Sequence, residues 1–250
     1  MREREVVAGR NPVLEALRAG RRVHRLAVGR GVREDGAVAE ILRLAAERSV
    51  PLSRVLPADL DRLADGATHQ GVVALVDGRP SLSLEDVLAR ARSRGEDPFL
   101  IVLDRVEDPH NLGAVLRVAD GAGAHAVVVP ERGSAKLTTT VHKTSAGASE
   151  WVPVVVAPST MVAVDHLKRA GVWVGGAEAD TTKDYWDERL TGPLAIVLGS
   201  EGAGISAPVR KHLDFVVRIP MAGKVSSLNV SVACALLAYE RARQRTKGPG

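Results

Sequence analysis

The chain has 250 residues, of which 45% are hydrophobic and 3% aromatic, and a formal net charge of +4. This suits one large or two small domains with a core of Leu, Val and Ala rather than rings. Its single cysteine, Cys234, excludes an intramolecular disulfide framework and a cysteine-cluster zinc site. Cys234 lies in an apolar run, 232–237, and reads as a small core residue. No N-terminal stretch has the form of a signal peptide, and no run approaches the ~20 apolar residues of a membrane helix. A cytoplasmic location is the expectation. Charge is uneven: residues 1–34 hold nine arginines against four glutamates, and Arg241, Arg243, Arg245 and Lys247 close the chain. Both clusters point to phosphate contacts.

Residues 5–77 read as a small α/β unit. Asn11-Pro12 predicts a helix start, with Asn as N-cap and Pro at the first helical position, and Gly20 stops that helix. A strand is expected at 25–28, a helix at 37–49, a strand at 52–56, a short helix at 58–64 and a strand at 71–76. Residues 77–81, Asp-Gly-Arg-Pro-Ser, break the pattern. A connecting helix follows at 84–94. The organisation expected is a first domain at 1–77, a linker at 78–97 and a second domain at 98–250.

From Phe99 onward strands and helices alternate. Strands are predicted at 99–103, 126–129, 152–156, 172–175, 194–198 and 215–219. Their apolar runs are continuous rather than alternating, as in a parallel sheet covered on both faces. Helices are predicted at 112–121, 136–148, 160–170, 207–212 and 230–243.

Three segments that follow predicted strands are dense in Gly, Asn, Ser and single charges. The first runs from Asp108 to Arg117, where Asn111 reads as a helix N-cap and Arg117 falls outside the apolar set Leu112, Val115, Leu116 and Ala119. The second is the loop Gly199-Ser200-Glu201-Gly202-Ala203-Gly204. It lacks the Lys-Ser/Thr of a phosphate-binding loop and the spacing of a dinucleotide fingerprint. Its carboxylate would repel a pyrophosphate and favour a cationic cofactor. The third runs from Ile219 to Ser231, with Ser226, Ser227, Asn229 and Ser231 opening the last helix. Ligands of open α/β sheets bind at the carboxyl ends of strands, where all three segments fall. His110, His125 and His142 have no common metal-site spacing, and no metal is expected.

Taken together, these residues resemble the SpoU (TrmH-like) family of RNA ribose 2′-O-methyltransferases. The first family motif is matched by Asn111, Gly113 and Arg117, the second by 199–204, and the third by 219–231. The likeness spans 98–245. It extends to residues 9–17 and 69–74, which resemble the L30e-like substrate-binding domain of bacterial enzymes that methylate a guanosine ribose in 23S rRNA.

The resemblance implies an α/β fold with a deep trefoil knot in the C-terminal domain, and a homodimer whose sites draw on both subunits. It implies S-adenosylmethionine as cofactor, held by backbone groups around Leu198, Gly199, Ile219, Met221 and Leu228. It gives Arg117 the activation of the ribose oxygen, with Asn111, Glu201, Ser227 and Asn229 orienting the reacting groups. A guanidinium has a pKa above ~12. Stabilising a developing alkoxide therefore suits Arg117 better than acting as a base. The expected reaction is methyl transfer to a guanosine 2′-hydroxyl of 23S rRNA. The alternatives are tRNA, or another rRNA site as in resistance enzymes. Two departures from the family pattern are Val118, where Thr is common, and the segment 142–148. A non-catalytic RNA-binding factor would be expected to lack Arg117 or Asn229, and both are present.

Overall fold

The computed structural model describes residues 4–78, 81–225 and 227–247, apart from the side chains of Thr139 and Lys247. Two compact units emerge: residues 1–81 with 137–151, and residues 82–136 with 152–250. Among the described residues no helix is long and apolar enough to cross a membrane.

The first unit contains β1 (Arg4–Ala8), α1 (Arg10–Arg18), β2 (Val23–Gly29), α2 (Gly36–Glu47), β3 (Leu52–Val55), α3 (Pro57–Leu63) and β4 (Val72–Asp77). The sheet order is β1-β4-β2-β3. Strand β4 runs antiparallel to β1 and β2, and β2 runs parallel to β3. Leu14 and Leu17 of α1 and Ile41 of α2 pack with Leu26, Val28 and Val72 of the sheet in one core. Ala27, Leu60 and Val73 form a smaller core with α3 on the opposite face. No strand was expected at β1, where only Val6, Val7 and Ala8 are apolar; pairing with β4 defines it.

Asn11 is not the N-cap of α1. The helix starts two residues earlier than expected, at Arg10 after Gly9 at φ 109°, without a cap from its own N-cap side chain. Gln70 supplies the acceptor instead: its Oε1 takes the Arg10 amide at 3.3 Å. A cap lent by a residue 60 positions away cannot be read locally.

The second unit begins with α4 (Leu84–Ser93), closed by a reciprocal capping box between Ser83 and Asp86. Then come β5 (Phe99–Asp104), α5 (Pro109–Gly121) and β6 (Ala126–Pro130). After α6 (Thr139–Thr144), which belongs to the first unit, follow β7 (Val154–Ala157), α7 (Thr160–Arg169), β8 (Trp173–Ala177), β9 (Leu194–Gly199), α8 (Ala207–Arg210), β10 (Phe215–Val217) and α9 (Val230–Lys247). All six strands are parallel, in the order β10-β8-β9-β5-β6-β7. Leu100, Val102, Ala195 and Val197 share a core with Leu88 of α4 and Leu167 of α7. Successive strand residues point to opposite faces. Phe99 accordingly turns the other way and meets α9, where the Arg241 guanidinium lies 4.3 Å from its ring centroid.

That contact corrects the expectation that Arg241 serves phosphate binding. Arg241 is fully buried and donates to the Gly192 carbonyl at 3.3 Å. Burial, and secondarily the charge of Arg245, lowers its pKa to about 10, although Asp97 opposes the shift. Arg243 is engaged by Glu240 at 2.6 Å. Cys234 is buried and its thiol is pushed up to about 12 by desolvation, as suits an inert core residue.

A single helix was expected over 136–148. The structure has the six-residue α6 and a 3-10 turn at Ala148–Glu150, because Ala146 (φ 50°) and Gly147 (φ 94°) take left-handed conformations between them. Gly147 is sterically required as well. A Cβ there would lie 2.4 Å from Cγ of Glu15 in α1. Ion pairs hold this segment to the rest of the unit. Arg21 bonds Glu150 at 2.9 Å and Glu5 at 2.6 Å, and Glu5 reaches His142 Nε2 at 2.7 Å. His142 Nδ1 meets Ser149 Oγ at 3.0 Å, and Trp151 Nε1 donates to Glu15 at 2.8 Å.

Glu5 is the titrating member of this network. Burial would raise its pKa, but the hydrogen bond and charge of His142, followed by those of Arg21, outweigh it and hold the carboxyl at about 2. Its folded value is thus below its ordinary 4.5. The stabilisation is complete above pH 4.5 and is lost as the pH falls towards 2. Chemical denaturation of Glu5→Gln is expected to show a loss on the order of 1–2 kcal/mol at pH 6, after discounting for partial exposure. The gap to wild type should close near pH 2. A constant gap across that range would remove Glu5 from the acid response.

Candidate active site

Three chain segments meet at the carboxyl ends of β8, β9 and β10, the edge where a parallel sheet leaves its strand ends open to a ligand. They enclose a cavity of about 500 Å³ in the second unit. One wall is the loop after β9. Gly199 ends that strand, Ser200 bridges back to Gly204, and the Gly204 amide donates to the Ser200 carbonyl at 2.9 Å. A Cβ on Gly199 would stand 2.0 Å from the Gly204 carbonyl carbon, so only glycine permits the fold-back. Ile219, Met221, Ser227 and Leu228, between β10 and α9, form another wall, with Leu198 and Gly199 lining the same space. A third wall carries Glu178 and Asp180 after β8 and Arg210 of α8.

Glu201 is the polar centre of the loop. Its Oε1 accepts from Asn111 Nδ2 at 3.0 Å and from Asn229 Nδ2 at 2.6 Å. Asn229 Nδ2 also donates to Asn111 Oδ1 at 2.9 Å. On its other side Asn229 Oδ1 accepts from the Ser231 amide at 2.9 Å, in the first turn of α9. Three residues from three elements thus form one hydrogen-bonded cluster. Asn111 is free to join it because it is not the N-cap of α5. Asp108 caps that helix, accepting the His110 amide at 2.8 Å, and Pro109 sits at the first helical position.

Arg117 stands apart. It is exposed on α5, is absent from the cavity lining, and its side chain makes no hydrogen bond or ion pair among the described residues. Arg117 is six residues beyond Asn111, which places it about a third of a turn out of phase and ~9 Å along the helix axis. Ser226 lies outside the described residues. Ser227 is exposed on the cavity lining.

Sequence reasoning passed over four charged residues here. Asp104, buried at the end of β5, accepts from the Ser206 amide at 2.7 Å and Thr160 Oγ1 at 2.8 Å. Glu178 accepts from the Ile205 amide at 3.1 Å and pairs with Arg210 at 2.6 Å. Arg210 also reaches Asp180 at 3.5 Å. The signal for the two acids was a carboxylate terminating or directly following a buried strand. Chemically, the cavity offers backbone groups, apolar side chains and an excess of negative charge, a setting for a cationic, part-apolar ligand. Among the described residues no three His, Cys, Asp or Glu cluster as metal ligands. His125 instead accepts the Phe99 amide at 3.0 Å and meets Glu96 at 2.9 Å.

Comparison with known proteins agrees with this geometry. Residues 98–239 match the SpoU rRNA methylase family, and residues 6–81 match an RNA 2′-O ribose methyltransferase substrate-binding domain. The chain is 39% identical over 243 residues to the Bacillus subtilis protein YacO, assigned to the TrmH family of tRNA/rRNA methyltransferases, covering 97% of each. An uncharacterised tRNA/rRNA methyltransferase of Mycolicibacterium vanbaalenii is 42% identical, over 96% of this chain and 77% of the other. Among solved structures, the SpoU methyltransferase AviRb of Streptomyces viridochromogenes with AdoMet superposes with a TM-score of 0.80 at 29% identity, covering 98% of this chain and 92% of that one. Three glycine- and amide-rich segments gathered at one sheet edge, with a family match across most of the unit that holds them, lead to one conclusion: the chain belongs to the SpoU methylase family.

Proposed function

We propose that this chain transfers a methyl group from S-adenosylmethionine to the ribose 2′-hydroxyl of a guanosine in 23S rRNA. In this reading residues 1–77 bind the RNA, 78–97 form a linker, and 98–250 form a knotted catalytic domain. The observation that carries it is the Asn111–Glu201–Asn229 cluster beside a cavity of about 500 Å³ with an acidic lining. A cavity of that size accommodates a cofactor-sized molecule. Its carboxylates suit a sulfonium, and the Gly199–Gly204 fold-back leaves main-chain groups unshielded by side chains. Groups at Leu198, Gly199, Ile219, Met221 and Leu228 would hold the cofactor. The AdoMet complex of AviRb supports the same choice.

When bound, the cofactor supplies an electrophilic methyl group on sulfur. The residues of this chain then orient the attacking oxygen and compensate charge. Asn111 and Asn229 fix the Glu201 carboxylate, and Glu201 and Ser227 face the space where ribose and cofactor meet. Arg117 remains charged and stabilises the ribose oxygen as its proton passes to solvent water, so the rate gain comes from positioning and preorganised electrostatics. Because Arg117 is absent from the cavity lining and is about a third of a turn from Asn111 on α5, one copy does not bring it to the Glu201 cluster. A homodimer in which a second copy supplies Arg117 resolves this. On the first unit, Arg18 and Arg21 are consumed by ion pairs, whereas the side chains of Arg22, Arg30 and Arg33 are exposed without partners among the described residues and are available to phosphates. The match of residues 6–81 to an RNA substrate-binding domain supports that role.

Labelled S-adenosylmethionine with 23S rRNA fragments or bulk tRNA decides the substrate: label in a guanosine ribose of 23S rRNA is expected, and label only in tRNA overturns the choice. Arg117→Ala should lower turnover ~100-fold or more while cofactor affinity holds. Mixing Arg117→Ala with Asn229→Ala protein should restore part of the activity if sites are shared between copies. No recovery in a mixture shown to exchange subunits would place Arg117 in its own protomer's site.

A further inference from the structure

We propose that Glu178 is a positioning residue of the cofactor site, bracing the Gly199–Gly204 loop from the facing wall. The inference rests on the cofactor assignment and is independent of the RNA target. Glu178 follows directly on β8 and lines the cavity. Its amide donates to the Val217 carbonyl at 2.9 Å, which ties it to the end of β10. Its Oε1 accepts the Ile205 amide at 3.1 Å, and its Oε2 pairs with Arg210 Nε at 2.6 Å. The next amide along, that of Ser206, goes to the buried Asp104 at 2.7 Å. Two carboxylates from two different strands therefore take consecutive amides at the exit of the cofactor loop.

The loop is built around this grip. Gly204 sits at φ 62°, and a Cβ on it would lie 3.2 Å from Glu178 Oε1, so the chain turns tightly over the carboxylate. A hydrogen bond from an amide to a side-chain oxygen is directional and depends on the reach of that side chain. It keeps the loop in one conformation before the cofactor arrives, sparing binding the cost of ordering it. Glu201 is held separately, by Asn111 and Asn229 from α5 and the approach to α9. Loss of the Glu178 brace should therefore weaken cofactor binding and leave the chemical step largely intact.

Three variants of the full-length chain separate the amide brace from a general charge effect. Glu178→Gln keeps the reach to Ile205 and loses the charge. Glu178→Asp keeps the charge and falls one methylene short. Glu178→Ala loses both. Calorimetric titration with S-adenosylmethionine, which needs no RNA, is the primary readout, and kcat and KM for methyl transfer are the second. The expected result is Gln binding within ~3-fold of wild type, and Asp and Ala weakened ~10-fold or more, with kcat at saturating cofactor within ~3-fold throughout. If Asp binds like wild type while Gln does not, Glu178 acts through charge and the proposal fails. It also fails if all three bind normally, or if kcat falls while affinity holds. Should Ala not fold, the order of Gln and Asp still decides.

Discussion

At the end of β9 the backbone closes on itself, Gly199 against Gly204, at a separation that leaves no room for a side-chain carbon. The rest of the site depends on that contact. The fold-back turns main-chain groups towards the cavity and projects Glu201 to where Asn111 and Asn229 reach it. A larger residue at 199 would push the loop away from the strand and separate the cluster from the cavity wall.

Around this contact the carboxyl edge of the sheet is organised by carboxylates. β5 ends on Asp104, β8 leads into Glu178, and β9 leads into Glu201. A charge at the margin of an apolar core is costly unless its lone pairs are occupied. Asp104 takes a backbone amide and the Thr160 hydroxyl, Glu178 takes an amide and a guanidinium, and Glu201 takes two side-chain amides. The same groups that satisfy these charges hold the loop, so the stability of the edge and the shape of the cavity have one origin. The excess of acid also fits the cationic cofactor of the family better than a phosphate-rich one.

The arginines make the complementary point. Arg21 is enclosed by Glu5 and Glu150, and Arg241 lies buried over Phe99. Both work inside the molecule, although in the sequence they belong to clusters that look like surface charge. Arg117 is the opposite case, mid-helix and exposed, with nothing around it to explain it structurally. The segment 137–151 shows a similar gap between chain and fold. It lies within the stretch matched by the methylase family, yet it packs with the N-terminal unit through Arg21, Glu5 and Glu15.

The sequence by itself determined the class of fold, the parallel sheet, the family and two of the segments that line the cavity, 199–204 and 219–231, together with Asn111 beside them. Those features are local: continuous apolar runs mark strands buried on both faces, and fixed glycine, asparagine and serine spacings mark the loops at their ends. Tertiary structure decided what depends on partners distant in sequence. Gln70 starts α1 in place of Asn11, and Asp108 releases Asn111 to the Glu201 cluster. Pairing with β4 defines β1, and Gly147 breaks the expected helix so that the chain can lie on Glu15. Glu178 and Asp104 showed no motif, because their function is to accept amides from a loop that only the folded sheet brings within reach. A residue's hydrogen-bond partners are set by topology, and a linear pattern records the residue without the partner.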